Sequence, residues 1–322
     1  MDFKLNQNTK IYIAGHSGLI GSAFLRYFEA ENYKNIITRD RRDLDLLSKE
    51  DTYNFFNDNH PEIVILAAGK VGGIIQNRDY PLDFLNENLL IQLNVLNSAK
   101  EFDAKRVLFF ASSCMYPKNS NRPLKESQIF SGDLESTSIA YATAKYAGVQ
   151  MCQSINIQNN SSSFIPVVPN SVYGPNDNFD LKSSHVLSAL IRRFHEAKEK
   201  NSKEVFLWGS GLPKREFIFV EDIVQACIKL IDSKLNYEMF PINIGVGSDI
   251  SVKNLAEKIS KIVGYSGKMI WDQSKPDGAP RKLLDNSKIK SLGWKHEVAL
   301  DIGISLTYKW YLEKLNKASK SN

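Results

Sequence analysis

The chain has 322 residues, of which 43% are hydrophobic and 24% charged, and it carries a formal net charge of +5. Single cores stop growing near ~250–300 residues, so this length predicts two lobes, and the ordinary composition excludes a disordered chain, a collagen-like repeat and a disulfide scaffold. The mild charge, without a basic run, excludes a nucleic-acid arm and suits small anionic ligands, and no stretch approaches the roughly 18 apolar residues of a membrane span.

Cys114, Cys152 and Cys227 show neither CxxC nor CxxH spacing, which argues for a reducing compartment and against structural zinc or another metal site. No apolar leader follows Met1, so the expected location is the cytoplasm. Along the first half, short apolar runs alternate with amphipathic stretches, the pattern of parallel strands joined by crossover helices. Strands are predicted at Lys10–Ala14 and at 35–38, 62–67 and 106–111, each reading as buried on both faces. Between them Phe24 and Phe28 fall at helical spacing, and Pro81 opens a helix to residue 100 whose Phe84, Leu89, Leu93 and Leu96 recur on one face. A further helix is predicted over 141–156 and a fifth strand over 163–168, stopped by Pro169. Beyond it, loops rich in Asn, Gly and Pro interrupt shorter pieces, and 217–220 and 241–244 look like strands able to return to the main sheet. The predicted fold is α/β: a Rossmann-type doubly wound parallel sheet with a smaller C-terminal substrate-binding lobe. The lobes interleave, with 1–170 plus 215–247 in the first and 171–214 plus 248–322 in the second.

Gly15-His16-Ser17-Gly18-Leu19-Ile20-Gly21 follows the first strand and opens the first helix. Glycines at this spacing let the backbone turn tightly and approach a pyrophosphate, whose charge meets free N–H groups at the positive helix end. Gly15, Ser17, Gly18, Leu19, Ile20 and Gly21 are therefore the candidate cofactor contacts. About 20 residues on, Thr38-Arg39-Asp40-Arg41-Arg42 offers an acid for a ribose hydroxyl and arginines for a 2′-phosphate. Three arginines around one aspartate favour NADPH over NADH, with Arg41 chosen for the phosphate. A solvated charged turn is the plainer alternative.

Tyr141 and Lys145 lie one helical turn apart on one face. A free phenol near pKa ~10 is a poor acid–base group at neutral pH, and a neighbouring ammonium is expected to lower it. Tyr141 then protonates a ketone oxygen as hydride reaches the carbon, while Lys145 also bonds the nicotinamide ribose. Such a pair arises easily by chance; the support comes from Ser112-Ser113-Cys114 at the end of the fourth strand, the edge where open α/β sheets bind ligands. Ser112 is the first choice to donate to the same carbonyl, and Ser113 the second.

Taken with Ala14-Gly15-His16, Lys70-Val71-Gly72-Gly73-Ile74, Ser112-Ser113-Cys114-Met115-Tyr116-Pro117-Lys118, Tyr173-Gly174-Pro175-Asn176-Asp177-Asn178-Phe179, Ser184-His185-Val186, Trp208-Gly209-Ser210-Gly211, Arg215-Glu216-Phe217 and Lys275-Pro276-Asp277-Gly278, the chain resembles the extended short-chain dehydrogenase/reductases nearly end to end. Within them it is similar to the enzymes of GDP-linked 4-keto-6-deoxy sugars. The resemblance implies reduction of a C4 ketone with NADPH after epimerisation at C3 and C5. A C4 ketone acidifies the hydrogens on both neighbouring carbons, so a base and an acid on opposite ring faces invert them through an enolate. By motif, Cys114 resembles the base and His185 the acid, with His185 also placed among the cofactor contacts. A thiol serves as base when a cation or helix terminus lowers its pKa. Asn170, Ser171, Arg193, Trp208, Arg215 and Arg281 (or Lys282) are the candidate GDP-sugar contacts. The resemblance also implies a homodimer through helices around 84–100 and 141–156. Two positions depart from the family pattern: Ser171 stands where an Asn is usual, and Gly69 where an Ala is frequent. They leave open a C4 reductase without epimerase activity, acting on a GDP-4-keto-6-deoxy-heptose for a capsule. A nonenzymatic nucleotide sensor is the alternative of another class.

Overall fold

The computed structural model describes residues 3–119, 123–181, 183–275 and 277–320; Pro276 of the Lys275-to-Gly278 motif and the last residues of the polar tail lie outside them. In chain order the first half runs β1 (Lys10–Ala14), α1 (Leu19–Ala30), β2 (Asn35–Ile37), α2 (Lys49–Asn59), β3 (Ile63–Leu66), α3 (Ile74–Asp79), α4 (Pro81–Glu101), β4 (Arg106–Phe110), α5 (Ile139–Gln158) and β5 (Phe164–Pro169). The second half runs β6 (Ser171–Tyr173), α6 (Val186–Glu199), β7 (Glu204–Trp208), β8 (Lys214–Arg215), β9 (Phe217–Phe219), α7 (Val220–Asp232), β10 (Ile242–Ile244), β11 (Ile250–Ser251), α8 (Val252–Val263), β12 (Lys268–Asp272), β13 (Arg281–Lys282), α9 (Ser287–Ser291) and α10 (Leu300–Lys320).

Six parallel strands form the main sheet in the order β10-β5-β4-β3-β1-β2. Chain direction across the sheet reverses between β1 and β3, which opens a crevice at their carboxyl ends. Successive strand residues point to opposite faces. Ile11, Ile13, Ile63, Ile65, Leu108 and Phe110 enter one core layer with Phe24 and Phe28 of α1, while Tyr12, Val64, Leu66, Val107 and Phe109 enter the other with Phe55, Phe56 and Leu96. That two-sided burial is why β1, β3, β4 and β5 read as unbroken apolar runs. Strand β2 differs from the expectation: Asn35 is exposed and Ile36 and Ile37 are half-buried, because β2 is the sheet edge and pairs only with β1.

Helix α4 also corrects the sequence pattern. Phe84 and Leu96 are buried, but Leu89 is half-buried and Leu93 is 43% exposed. The buried stripe runs instead through Asn88 and Gln92, whose amides donate to main-chain oxygens of Phe84 and Lys70 and of Ala144. Hydrogen bonding to neighbouring backbone, which periodicity cannot register, turns those polar side chains inward.

The second lobe has its own core of Leu187, Ile191, Phe194, Leu207, Leu255, Ile259 and Ile304. Of the two late segments, only β10 joins the main sheet; β9 pairs with β6 outside it. Ile218 of β9 still packs into the sheet core while Phe217 and Phe219 pack into the lobe, so one short strand stitches the two together.

Candidate active site

A cavity of about 1090 Å³ lies at the carboxyl edge of the sheet and extends to the second lobe. Its floor is the Gly15–Gly21 loop. Gly15 has φ +82°, and a Cβ there would sit 2.8 Å from the Ala68 main chain after β3. A Cβ at Gly21 would collide with the Gly15 carbonyl oxygen, so both glycines are required for the turn to lie against the helix. A Cβ at Gly18 would meet only the Gly15 carbonyl oxygen, at 3.5 Å, and Gly18 is the N-cap of α1 without a side-chain cap. Uncapped first-turn N–H groups beside a Cβ-free backbone are the chemistry that receives a diphosphate.

Arg39, Asp40 and Arg41 line the same cavity, and Arg42 is not among its lining residues. Arg39, not singled out from the sequence, lies with its guanidinium 5.7 Å from the Phe55 ring centroid and donates to the Thr38 carbonyl at 2.8 Å. Asp40 is 3.5 Å from His16 Nε2. Two cations with the one acid engaged by a histidine suit a phosphate-bearing ribose.

Deeper in, the chain leaves β4 and Ser112 caps a single 3₁₀ turn, Ser113–Met115, by accepting from the Cys114 N–H at 3.2 Å. The Ser112 hydroxyl also bonds the Tyr141 phenol, whereas Ser113 turns its hydroxyl toward Asn170 Oδ1 at 3.5 Å. Lys145 is buried; its ammonium donates to the Phe110 carbonyl at 2.9 Å and lies 5.9 Å from the Tyr141 ring centroid. The expected acidification of Tyr141 by Lys145 is therefore not what the geometry produces. Burial pushes the Tyr141 phenol up, with the charge of Cys114 adding and the Ser112 bond opposing; burial lowers Lys145 to about 8. The ammonium sits over the ring and donates to a carbonyl, and it is not among the groups that shift the phenol. A neutral phenol is the form that gives a proton to a ketone oxygen, so the site is set for donation.

Cys114 is half-buried in the cavity wall. Burial alone raises its thiol, but the Lys282 ammonium 3.8 Å from Sγ and bonds from Ser112, Ser138 and Lys282 outweigh it, and the net shift is downward.

On the second-lobe side Asn170, Ser171, His185, Arg193, Trp208, Arg215 and Lys282 line the cavity. Arg193 lies 5.8 Å from the Trp208 ring centroid and Lys275 6.0 Å. Arg281 does not line it: its guanidinium pairs with the Asp249 carboxylate. Neighbours on a strand face opposite ways, so on β13 it is Lys282 that enters. Asn170 is also largely turned away. Its Nδ2 donates to Glu216 at 2.7 Å and to the Lys282 carbonyl at 3.3 Å, and its Oδ1 takes the Ser113 hydroxyl, leaving Ser171 to present a hydroxyl on this wall.

Glu216 is the organising residue that motif matching did not single out. It is 0% exposed, and accepts from Asn170 Nδ2, from Gly247 N at 2.6 Å and from Leu284 N at 3.0 Å. Burial pushes its carboxyl up while these bonds pull it down. The signal for it in the sequence is a carboxylate directly before the apolar run Phe217–Phe219, which must be paired or costly once buried.

The cradle, the phenol with its serine and the sugar-facing wall define a dinucleotide-dependent enzyme of sugar-type substrates. The chain belongs to the NAD dependent epimerase/dehydratase family, whose model matches residues 11–245. It is 47% identical to "Putative GDP-L-fucose synthase 2" of Arabidopsis thaliana over 97% of this chain and 94% of that protein. It is 42% identical to the GDP-L-fucose synthase of Escherichia coli (strain K12), over 96% and 98%. Among solved structures, a GDP-mannoheptose C4 reductase from Campylobacter jejuni with NADP bound superposes with a TM-score of 0.87 at 38% identity, covering 96% of this chain and 100% of that one. Among the described residues, no helix is long and apolar enough to cross a membrane and no cluster of His, Cys, Asp and Glu fits a metal ion.

Proposed function

We propose that the protein is an NADPH-dependent C4 reductase of a GDP-linked 4-keto-6-deoxy sugar with 3,5-epimerase activity, as in GDP-L-fucose synthases. The observation that carries this is one cavity holding the glycine cradle, the Ser112–Tyr141 bond and the Cys114–Lys282 contact together. Bound NADPH supplies the hydride for the C4 ketone. Gly15 to Gly21 receive its diphosphate, Arg39 and Arg41 its 2′-phosphate, and Lys145 its ribose. Ser112 and Tyr141 hold the ketone oxygen, and Tyr141 gives it the proton. Cys114 removes protons beside the ketone and His185, exposed at the N-cap of α6, returns them from the other face. Arg193, Arg215, Trp208 and Ser171 hold the GDP-sugar.

The cofactor unit comprises 1–170 plus 215–247 and the sugar unit the remainder. Leu82, Leu90 and Leu93 form an exposed apolar stripe on α4, which supports homodimer formation through α4 and α5. The site of action is the cytoplasm, in nucleotide-sugar supply for a polysaccharide such as a capsule.

Incubation with GDP-4-keto-6-deoxy-mannose and NADPH in deuterated water is expected to yield a C4 alcohol with solvent deuterium at C3 and C5. A reduced product without deuterium favours the second reading, a C4 reductase of a GDP-linked heptose, which the serine at 171 and the Campylobacter jejuni likeness support. No reduction on any GDP-4-keto sugar overturns both.

A further inference from the structure

The three cysteines are free but not equivalent. Cys152 and Cys227 are 0% exposed among apolar side chains, and burial pushes both thiols up. Cys114 stands on a cavity wall with the Lys282 ammonium 3.8 Å from its sulfur. Hydroxyls of Ser112 and Ser138 bond it as well. The other groups within electrostatic reach are the Arg215 guanidinium on β8 and the Tyr141 phenol on α5. Two cations and a neutral phenol thus surround the sulfur.

Lys282 is built to stay there. Its strand pairs with β8, opposite Arg215. Its carbonyl accepts from the Glu216 N–H at 3.2 Å and from Asn170 Nδ2 at 3.3 Å, tying it to the fully buried Glu216 network. Among the described residues Lys282 has no carboxylate partner, so the hydrogen bond of its ammonium goes to sulfur. A half-buried ammonium aimed at a thiol is an expensive arrangement unless the thiol carries charge.

We propose that Lys282 is the positioning residue for Cys114: its ammonium, backed by the Ser112 and Ser138 hydroxyls, keeps the sulfur charged and aimed into the cavity as the base of the epimerisation steps. This rests on the assignment of Cys114 as that base. In each step a ring C–H bond breaks, its proton moves to sulfur and its electron pair passes into the C4 ketone as an enolate. Reprotonation of the carbon from the opposite face completes the inversion, and the thiol then releases its proton to solvent. No oxidant or reductant is consumed.

The test is the pH profile of iodoacetamide alkylation of the full-length enzyme, with Cys152 and Cys227 occluded and Cys114→Ser identifying the reacting thiol. In Lys282→Met the inflection is expected to rise by about one pH unit or more, a roughly tenfold loss of thiolate below it. Lys282→Arg is expected to restore most of the shift, and NADPH binding verifies that each variant is folded. Deuterium incorporation at sugar C3 and C5 should fall in parallel with the thiolate fraction. An unmoved inflection in Lys282→Met overturns the proposal. A raised inflection with undiminished deuterium incorporation overturns the role of Cys114, and hence of Lys282, in the epimerisation steps. Should the wild-type enzyme incorporate no deuterium at all, the epimerase reading has failed by itself. The alkylation profile then decides alone whether Lys282 sets the charge on Cys114.

Discussion

The two walls of the cavity are held by different forces. On the cofactor side the shape is made of backbone: Gly15 packs on Ala68, Gly21 under the Gly15 carbonyl, and the strands beneath are in parallel register. On the sugar side it is made of side chains tying distant segments together, Glu216 to Asn170, Gly247 and Leu284, Asp277 to Ser210, and Arg281 to Asp249. A backbone cradle suits a ligand part that is always the same, a diphosphate. A side-chain wall changes with single substitutions, as at Ser171, and suits the part that differs between relatives.

Mutations at the seam and on each wall sharpen that contrast. Tyr141→Phe, at the seam, should lower turnover by roughly 10²–10⁴-fold, the usual worth of a positioned general acid, with NADPH and GDP binding retained; stopped-flow oxidation of NADPH measures it, and unchanged turnover would remove Tyr141 from the chemistry. Glu216→Ala strands Asn170 and two backbone N–H groups in the interior and should cost about 3–5 kcal/mol of stability, read by urea unfolding. In material that remains folded, KM for the GDP-sugar should rise while NADPH affinity holds; equal loss of both would mean the walls are not separable. Arg39→Ala should act the other way, weakening NADPH by about tenfold through a lost charge-assisted phosphate contact and leaving NADH and sugar binding almost unchanged. Isothermal titration with both cofactors decides it.

The same contrast explains what was legible. Strands β1, β3, β4 and β5 were readable because burial on two faces leaves long apolar runs. The cofactor loop was readable because glycines must recur at fixed spacing. Leu89 and Leu93 were misplaced because amide bonds from Asn88 and Gln92 to neighbouring backbone outweigh apolar periodicity on α4. Arg281 and Lys282 could not be told apart, since strand phase is decided by pairing with β8.

By itself the sequence determined the α/β sheet, the diphosphate cradle and the residue types for proton transfer, because these depend on local spacing within one or two elements. Only the tertiary structure decided which side chains meet across segments: Lys145 on the Phe110 carbonyl, Lys282 on Cys114, and Glu216 against Asn170. The physical reason is that burial and charge act through space, and the ionisation of a group is set by neighbours that the chain brings from far away.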